Sequence, residues 1–152
     1  MANRKHKISC FVITYNEADR IAACLESVHN WVDQLIIMDS GSSDDTIAIA
    51  KRYTDEVYST DWPGYGVQRN RALAKCKYDW VLYPDADEVI SDSLKTEIDT
   101  ILNTDEPAFN LVKIPWKTIM FGKALHYGRY TAIQEKIFHK SAAKFKTPWD
   151  RA

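Results

Sequence analysis

The sequence predicts an α/β protein: a mostly parallel sheet flanked by helices, with a mixed or antiparallel extension at its C-terminal end. Three observations predict it. Short β-branched and aromatic runs alternate four times with segments of helical period. The runs are apolar on both faces, as in strands covered by helices on either side. From Pro107 onward the helical period disappears and longer amphipathic runs take over.

"ISCFVITY", Ile8 to Tyr15, reads as a buried strand. Ile21, Cys24, Leu25 and Val28 then share one helix face, and Asn16 is the candidate cap. "QLIIMD", Gln34 to Asp39, is a second strand, "SGSSDDT" a turn and cap cluster, and "TIAIAKRY" a short helix. "EVYSTD", Glu56 to Asp61, makes the third strand, "WPGYG" a loop and "VQRNRALAKCK" a helix. Trp80 to Asp85 is the fourth strand. Leu94, Ile98, Ile101 and Leu102 mark a helix opened by Ser91 or Asp92. Beyond Pro107, "FNLVKIPWKTIMFG" and "EKIFHK" read as strands.

With 152 residues, 45% hydrophobic and 27% charged, the chain suits one globular domain with a real core. Net charge is −1 but uneven: residues 1–106 carry eleven Lys+Arg against nineteen Asp+Glu, and residues 107–152 nine against two. The basic part interleaves Lys113, Lys117, Lys123, Arg129, Lys136, Lys140, Lys144, Lys146 and Arg151 with aromatic residues such as Trp116, Phe121 and Phe145. Cations and rings together suit an anionic membrane surface or acceptor phosphates. Cys10, Cys24 and Cys76 form no C-x-x-C pair and read as reduced core thiols of a cytosolic protein. No run approaches a transmembrane span, and "MANRKHK" leads into a strand rather than a signal peptide. The expectation is a cytoplasmic protein, at most peripheral to a membrane.

Ligands of such sheets gather at the carboxyl ends of the strands. Three strands end there in polar clusters: "TYNE", "DSGSSDDT" and "DADE". In "VLYPDADEVI" three carboxylates fall within four residues, so a cation has to compensate them. If the segment is extended, Asp85 and Asp87 point the same way. Such a pair suits Mg²⁺ or Mn²⁺, whose remaining ligands are waters and substrate phosphates, with Glu88 orienting a neighbour. "GYGVQR" lacks the third glycine of a dinucleotide loop. "DADEV" also resembles the nucleophile loop of D-x-D phosphohydrolases, but that loop follows a first strand and this one a fourth.

Together these motifs, from "ISCFVITYNEADRIAACLESV" through "GYGVQRNRALAKC" to "DWVLYPDADEVIS", resemble the inverting family 2 glycosyltransferases of GT-A fold. The nearest look-alikes are bacterial lipopolysaccharide-core β-glucosyltransferases. The resemblance implies a Rossmann-like sheet, with a donor half over residues 1–106 and the start of an acceptor half, incomplete, over 107–152. Thr14, Tyr15 and Glu17 would line a uridine pocket, with Tyr15 against the ring. Asp39 would accept a hydrogen bond from uracil or ribose. Arg69 and Asn70 would lie near the donor, Asp85 would contact ribose or metal-bound water, and Asp87 would bind Mg²⁺ or Mn²⁺. The implied partners are a UDP-sugar, glucose above all, and a lipid-linked or lipopolysaccharide glycan on the inner face of the inner membrane; no nucleic acid is expected. The general base has no clear match. Glu135 and Asp150 are its carboxylate candidates, and His126 and His139 read as structural. The alternative is a donor-binding core without catalytic activity.

Overall fold

Apolar segments form the interior strands in the predicted order. β1 (Ile8–Thr14), β2 (Gln34–Asp39), β3 (Val57–Ser59) and β4 (Trp80–Leu82) alternate with α1 (Ile21–Val28), α2 (Thr46–Ala50), α3 (Tyr65–Lys75) and α4 (Asp92–Leu102). β5 (Leu111–Pro115), a small hairpin of β6 (Ile119–Met120) and β7 (Lys123–Ala124), and β8 (Ile133–His139) follow. The structure is a computed structural model and describes residues 4–125 and 133–147.

The six-stranded sheet has the order β3-β2-β1-β4-β8-β5. The first four strands are parallel; β8 runs antiparallel to both β4 and β5. β5 and β8 therefore complete the same sheet as the strands before Pro107, while β6 and β7 pair only with each other. Side chains alternate between its faces. Phe11, Ile36, Met38, Val81 and Phe138 pack on one face with Ala72 and Cys76, next to α3. Cys10, Val12, Ile37, Leu82 and Ile137 pack on the other with residues of α1 and α4. Ahead of β1, Arg4 is buried between Asp33 and Asp99, 2.8 Å from each, with its guanidinium over Trp31. That cation ties the chain's start to both the β2 approach and α4.

Three local expectations change. Asn16 does not cap α1: at φ 52° its side chain turns to accept a hydrogen bond from the Ser43 amide, and the Glu17 carbonyl takes the first helical amides instead. Ser91 does cap α4, accepting from the Leu94 amide. The segment expected as one long strand before Gly122 is broken at residues 116–118 into β5 and β6, and positive φ at Phe121 and Gly122 then folds β6 onto β7. β3 and β4 are also shorter than their apolar runs, since the chain leaves the sheet to build loops.

All three cysteines are free and buried. Burial pushes the Cys24 and Cys76 thiols up to about 12, and Cys10 is raised as well. Only thiolate attacks a disulfide reagent. The folded protein should therefore leave all three unreacted with an aromatic disulfide reagent at pH 8, and release three equivalents once denatured. Rapid labelling of the native protein would show that one of these sites opens.

Candidate functional site

From β1 the chain passes outward through β2 to β3, then crosses back to lay β4 on the other side of β1. The loops after β1 and β4 therefore diverge, which opens a crevice at the carboxyl ends of those strands. A cleft of about 940 Å³ lies there. The end of β1 contributes Thr14, Tyr15 and Glu17, and the end of β2 contributes Ser40. Trp62, Tyr65 and Arg69 come from α3 and the loop before it, and Asp85, Ala86 and Asp87 follow β4.

The loops after β1 and β2 are fastened to each other. The Asn16 amide donates to Ser42 Oγ at 2.8 Å, the Glu17 amide to Thr46 Oγ1 at 2.8 Å, and the Ala18 amide to Asp44 at 3.1 Å. The Thr46 hydroxyl in particular holds the Asp44 carboxyl below its ordinary value. Asp39 is the hub of this arrangement. It is fully buried, and its oxygens accept from the hydroxyls of Thr14, Ser42 and Ser59 and from the amides of Gly41 and Ser42, at 2.5–3.4 Å. It therefore lies beneath the cleft wall rather than in it. A contact with a nucleotide would require one of these donors to let go. From α3 the buried Gln68 amide donates to Ser40 and to Thr60, fixing the turn from behind.

The "DADE" segment is a turn, not an extended strand, with the Glu88 amide bonded back to the Asp85 carbonyl at 2.9 Å. The turn, not strand alternation, brings Asp85 and Asp87 to the same cleft. Two protein cations compensate the cluster. Arg69 Nη2 lies 3.3 Å from one Asp85 oxygen and Lys136 Nζ 3.0 Å from the other. Lys136 also reaches Glu88 at 3.1 Å, and Glu88 in turn accepts the Asp85 amide at 2.8 Å. Burial nevertheless pushes the Glu88 carboxyl above its ordinary value, against the pull of the Asp85 amide and the Lys136 ammonium. Asp87 stays exposed.

Lys136 was not legible as a site residue, because its place in a basic tract suggested surface. The available signal was its period-two relation to Phe138, which puts both on a buried face. Trp62 and Tyr65 were likewise hidden in the "WPGYG" loop. Their rings meet edge to face at 4.8 Å and stay partly exposed on the cleft, as does Tyr15. Arg69 lies over Tyr65, Tyr83 and Phe145, a cation held by rings as well as by Asp85.

Other expected site residues lie elsewhere. Asn70 turns away from the cleft: its amide donates to the Phe145 carbonyl at 2.8 Å and accepts the Phe145 amide at 3.0 Å. It straps residues 144–147 to α3, and Gly66 is the crossing point. A Cβ at Gly66 would stand 1.9 Å from the Lys146 carbonyl oxygen. That close approach explains the second glycine of "GYG". Glu135 is exposed beside Lys113 and does not line the cleft. His139 pairs with Trp80 at the amino end of β4, remote from the crevice. Asp150 and His126 lie outside the described residues.

Among the described residues no three His, Cys, Asp or Glu side chains converge to cage a metal. Asp85 and Asp87 offer two hard oxygen donors at one cleft. That set fits a divalent cation whose coordination a bound diphosphate completes.

A family model described as glycosyl transferase family 2 matches residues 9–150. A glycosyltransferase of Rickettsia felis is 48% identical over 95 residues, covering 62% of this chain and 34% of its own. The lipopolysaccharide core biosynthesis glycosyltransferase LpsC of Rhizobium meliloti is 32% identical over 103 residues, covering 64% and 38%. Among solved structures, S. aureus TarS superposes with a TM-score of 0.54 at 29% identity, over 62% of this chain and 19% of that one. Glucosyl-3-phosphoglycerate synthase from Mycobacterium tuberculosis, in complex with Mg²⁺ and UDP, gives 0.51 at 31% identity, over 56% and 34%. The same enzyme has been crystallised with Mn²⁺, UDP and glucosyl-3-phosphoglycerate. The chain spans about a third of the length of the curated relatives it matches.

Gly66→Ala forces its new methyl group into the Lys146 carbonyl. The substitution should cost roughly 1–3 kcal/mol, the usual range for overpacking. Thermal unfolding measures this, and an unchanged midpoint would mean that the 144–147 strap does not cross α3 there.

Proposed function

The chain belongs to glycosyl transferase family 2 and has the GT-A fold, and on that premise we propose that it binds a uridine diphosphate sugar for inverting transfer to a glycan acceptor. Glucose is the first candidate sugar and a lipopolysaccharide core the first candidate acceptor. The observation that carries this reading is the cleft at the β1–β4 switch point, where two exposed tyrosines, three carboxylates and an arginine face one cavity. The UDP complexes of the mycobacterial neighbour support the donor, and the likeness to LpsC supports the acceptor class.

In this reading the Tyr15 ring stacks on uracil, with Thr14 and Glu17 at its edge. Asp85 accepts from the ribose hydroxyls with the lone pairs that Arg69 and Lys136 leave free. Asp87 and Asp85 hold Mg²⁺ or Mn²⁺. Bound there, the ion supplies positive charge to the diphosphate leaving group. Arg69 adds a fixed cation beside the same phosphates. Transfer forms a bond from an acceptor hydroxyl oxygen to the anomeric carbon and breaks that carbon's bond to the β-phosphate oxygen. The hydroxyl proton passes to a base. With Glu135 off the cleft, the geometry supports the donor-holding half of this reaction. The D-x-D phosphohydrolase alternative loses support, because its loop follows a first strand and this turn follows β4, in a chain that matches the glycosyl transferase family 2 model.

Calorimetry with UDP, with and without Mn²⁺, tests the site. Asp87→Ala should abolish the Mn²⁺-dependent part of binding while leaving the fold intact. Tyr15→Ala should weaken binding by about 1–3 kcal/mol, the worth of base–aromatic stacking. An Asp87→Ala chain that keeps the full Mn²⁺ effect rules out the metal assignment. Assaying UDP-glucose turnover on the same sample separates the two outcomes of the family reading: turnover supports the enzyme, and binding alone supports a donor-binding core.

The membrane proposal rests on the β6–β7 hairpin. Ile119, Met120 and Phe121 are exposed at its tip, Phe121 almost fully, between the exposed Lys117 and Lys123. Rings and apolar chains flanked by cations suit an anionic lipid interface. No described helix is long and apolar enough to cross a membrane. The protein should sediment with anionic vesicles at low salt and less at high salt. Phe121→Ser should lower that binding; a variant that sediments like the wild type removes the hairpin from the contact.

A further inference from the structure

Lys136, like Arg4, is a described cation almost wholly buried between two carboxylates, but of the two it is Lys136 that meets the turn at the cleft. Its side chain is 4% exposed, the charge sits between two carboxylates, and the nearby rings of Tyr83 and Trp116 exclude water. Isolated burial of an ammonium is costly, so the lysine has to be matched by anions. The anions it meets are Asp85, on the cleft, and Glu88, behind it. Without the ammonium, Asp85 Oδ2 and Glu88 Oε2 would face each other as like charges, with the Asp85 amide left on Glu88 and Arg69 on the far oxygen of Asp85. Register puts the lysine there. Leu82 pairs with Ile137, so on the antiparallel β8 the preceding residue, Lys136, lies past the end of β4, and the Tyr83 amide donates to the Lys136 carbonyl at 3.1 Å.

We propose that Lys136 is a positioning residue of the donor site: it holds Asp85 and Glu88 in one arrangement, so that the turn presents Asp85 and Asp87 to a nucleoside diphosphate and its cation. The lysine acts through Asp85 and does not itself line the cleft. β8 is then part of the donor site, although it follows the D-x-D by almost fifty residues. Arg69 cannot replace it, because Arg69 reaches only the other Asp85 oxygen and no ion pair joins it to Glu88 among the described residues. This inference rests on the donor reading above, and the test separates the failure of one from the failure of the other.

The measurement is calorimetric binding of UDP at saturating Mn²⁺ and in its absence, with circular dichroism and thermal unfolding as the fold control. The wild-type chain comes first: if it binds no UDP under either condition, the donor reading has failed. If it binds, Lys136→Met should weaken UDP·Mn²⁺ binding roughly 10–100-fold, the range for losing a partner that orients a metal-binding carboxylate. Lys136→Arg keeps the charge and should stay within about threefold of wild type. The decisive variant is Lys136→Met combined with Glu88→Gln, which removes the repelling charge along with the ammonium. It should bind better than Lys136→Met alone and worse than wild type. A purely packing role predicts no such rescue, and a double variant no better than the single one overturns the proposal. So does wild-type affinity in either methionine variant. Should Lys136→Met fail to fold, the double variant decides by the same comparison with wild type.

Discussion

Three carboxylates within four residues can sit at a strand end only if cations are brought to them from elsewhere in the chain. Much of the architecture follows from that constraint. Arg69 arrives from α3, which packs on one face of the sheet, and Lys136 arrives from β8, which pairs with β4. Both contacts need the strand order in which β4 lies between β1 and β8. Had β5 taken the place beside β4, the turn would lack its buried cation and the like charges would spread it. The sheet's antiparallel extension is in this sense tied to the chemistry at the end of its parallel part.

Asp39, a fully buried carboxylate, organises the neighbouring loop without a cation among the described residues. Asp39 is satisfied by hydroxyls and amides of its own turn and of the adjacent strands, so its charge is dispersed over short dipoles. The two solutions differ because their tasks differ. Asp39 must hold a turn still, and saturation of its oxygens does that. In the proposed donor site Asp85 has to hold a position and keep capacity for a ligand, and one cation on each of its oxygens leaves lone pairs unspent. The loops carrying these two residues face one crevice, and Gln68 and Asn16 lock the wall between them.

Packing explains the rest of the cleft. Phe145 packs edge to face against Phe11, Tyr83 and Phe138, and Asn70 binds its backbone in both directions. This aromatic cluster is the floor on which Arg69 rests. A long, flexible side chain is thereby held near the cavity before any ligand arrives, which lowers the entropy cost of ordering it on binding.

By itself the sequence determined the fold class, the four strand–helix alternations and the family resemblance, and it singled out the three polar strand ends beside which the cleft lies. Those features are local: period, β-branching and turn residues act within a few positions. It also marked Thr14, Tyr15, Glu17, Arg69, Asp85 and Asp87, all of which line one cleft. Tertiary structure decided what lies far apart along the chain. It turned Asn70 and Asn16 into struts, sank Asp39 beneath the wall and set Glu135 away from the cavity. It also moved Lys136 from an apparent basic surface to the hidden side of the D-x-D turn. The residues that such a lysine meets depend on strand order and register, and pairing over so long a separation leaves no periodic trace in the sequence.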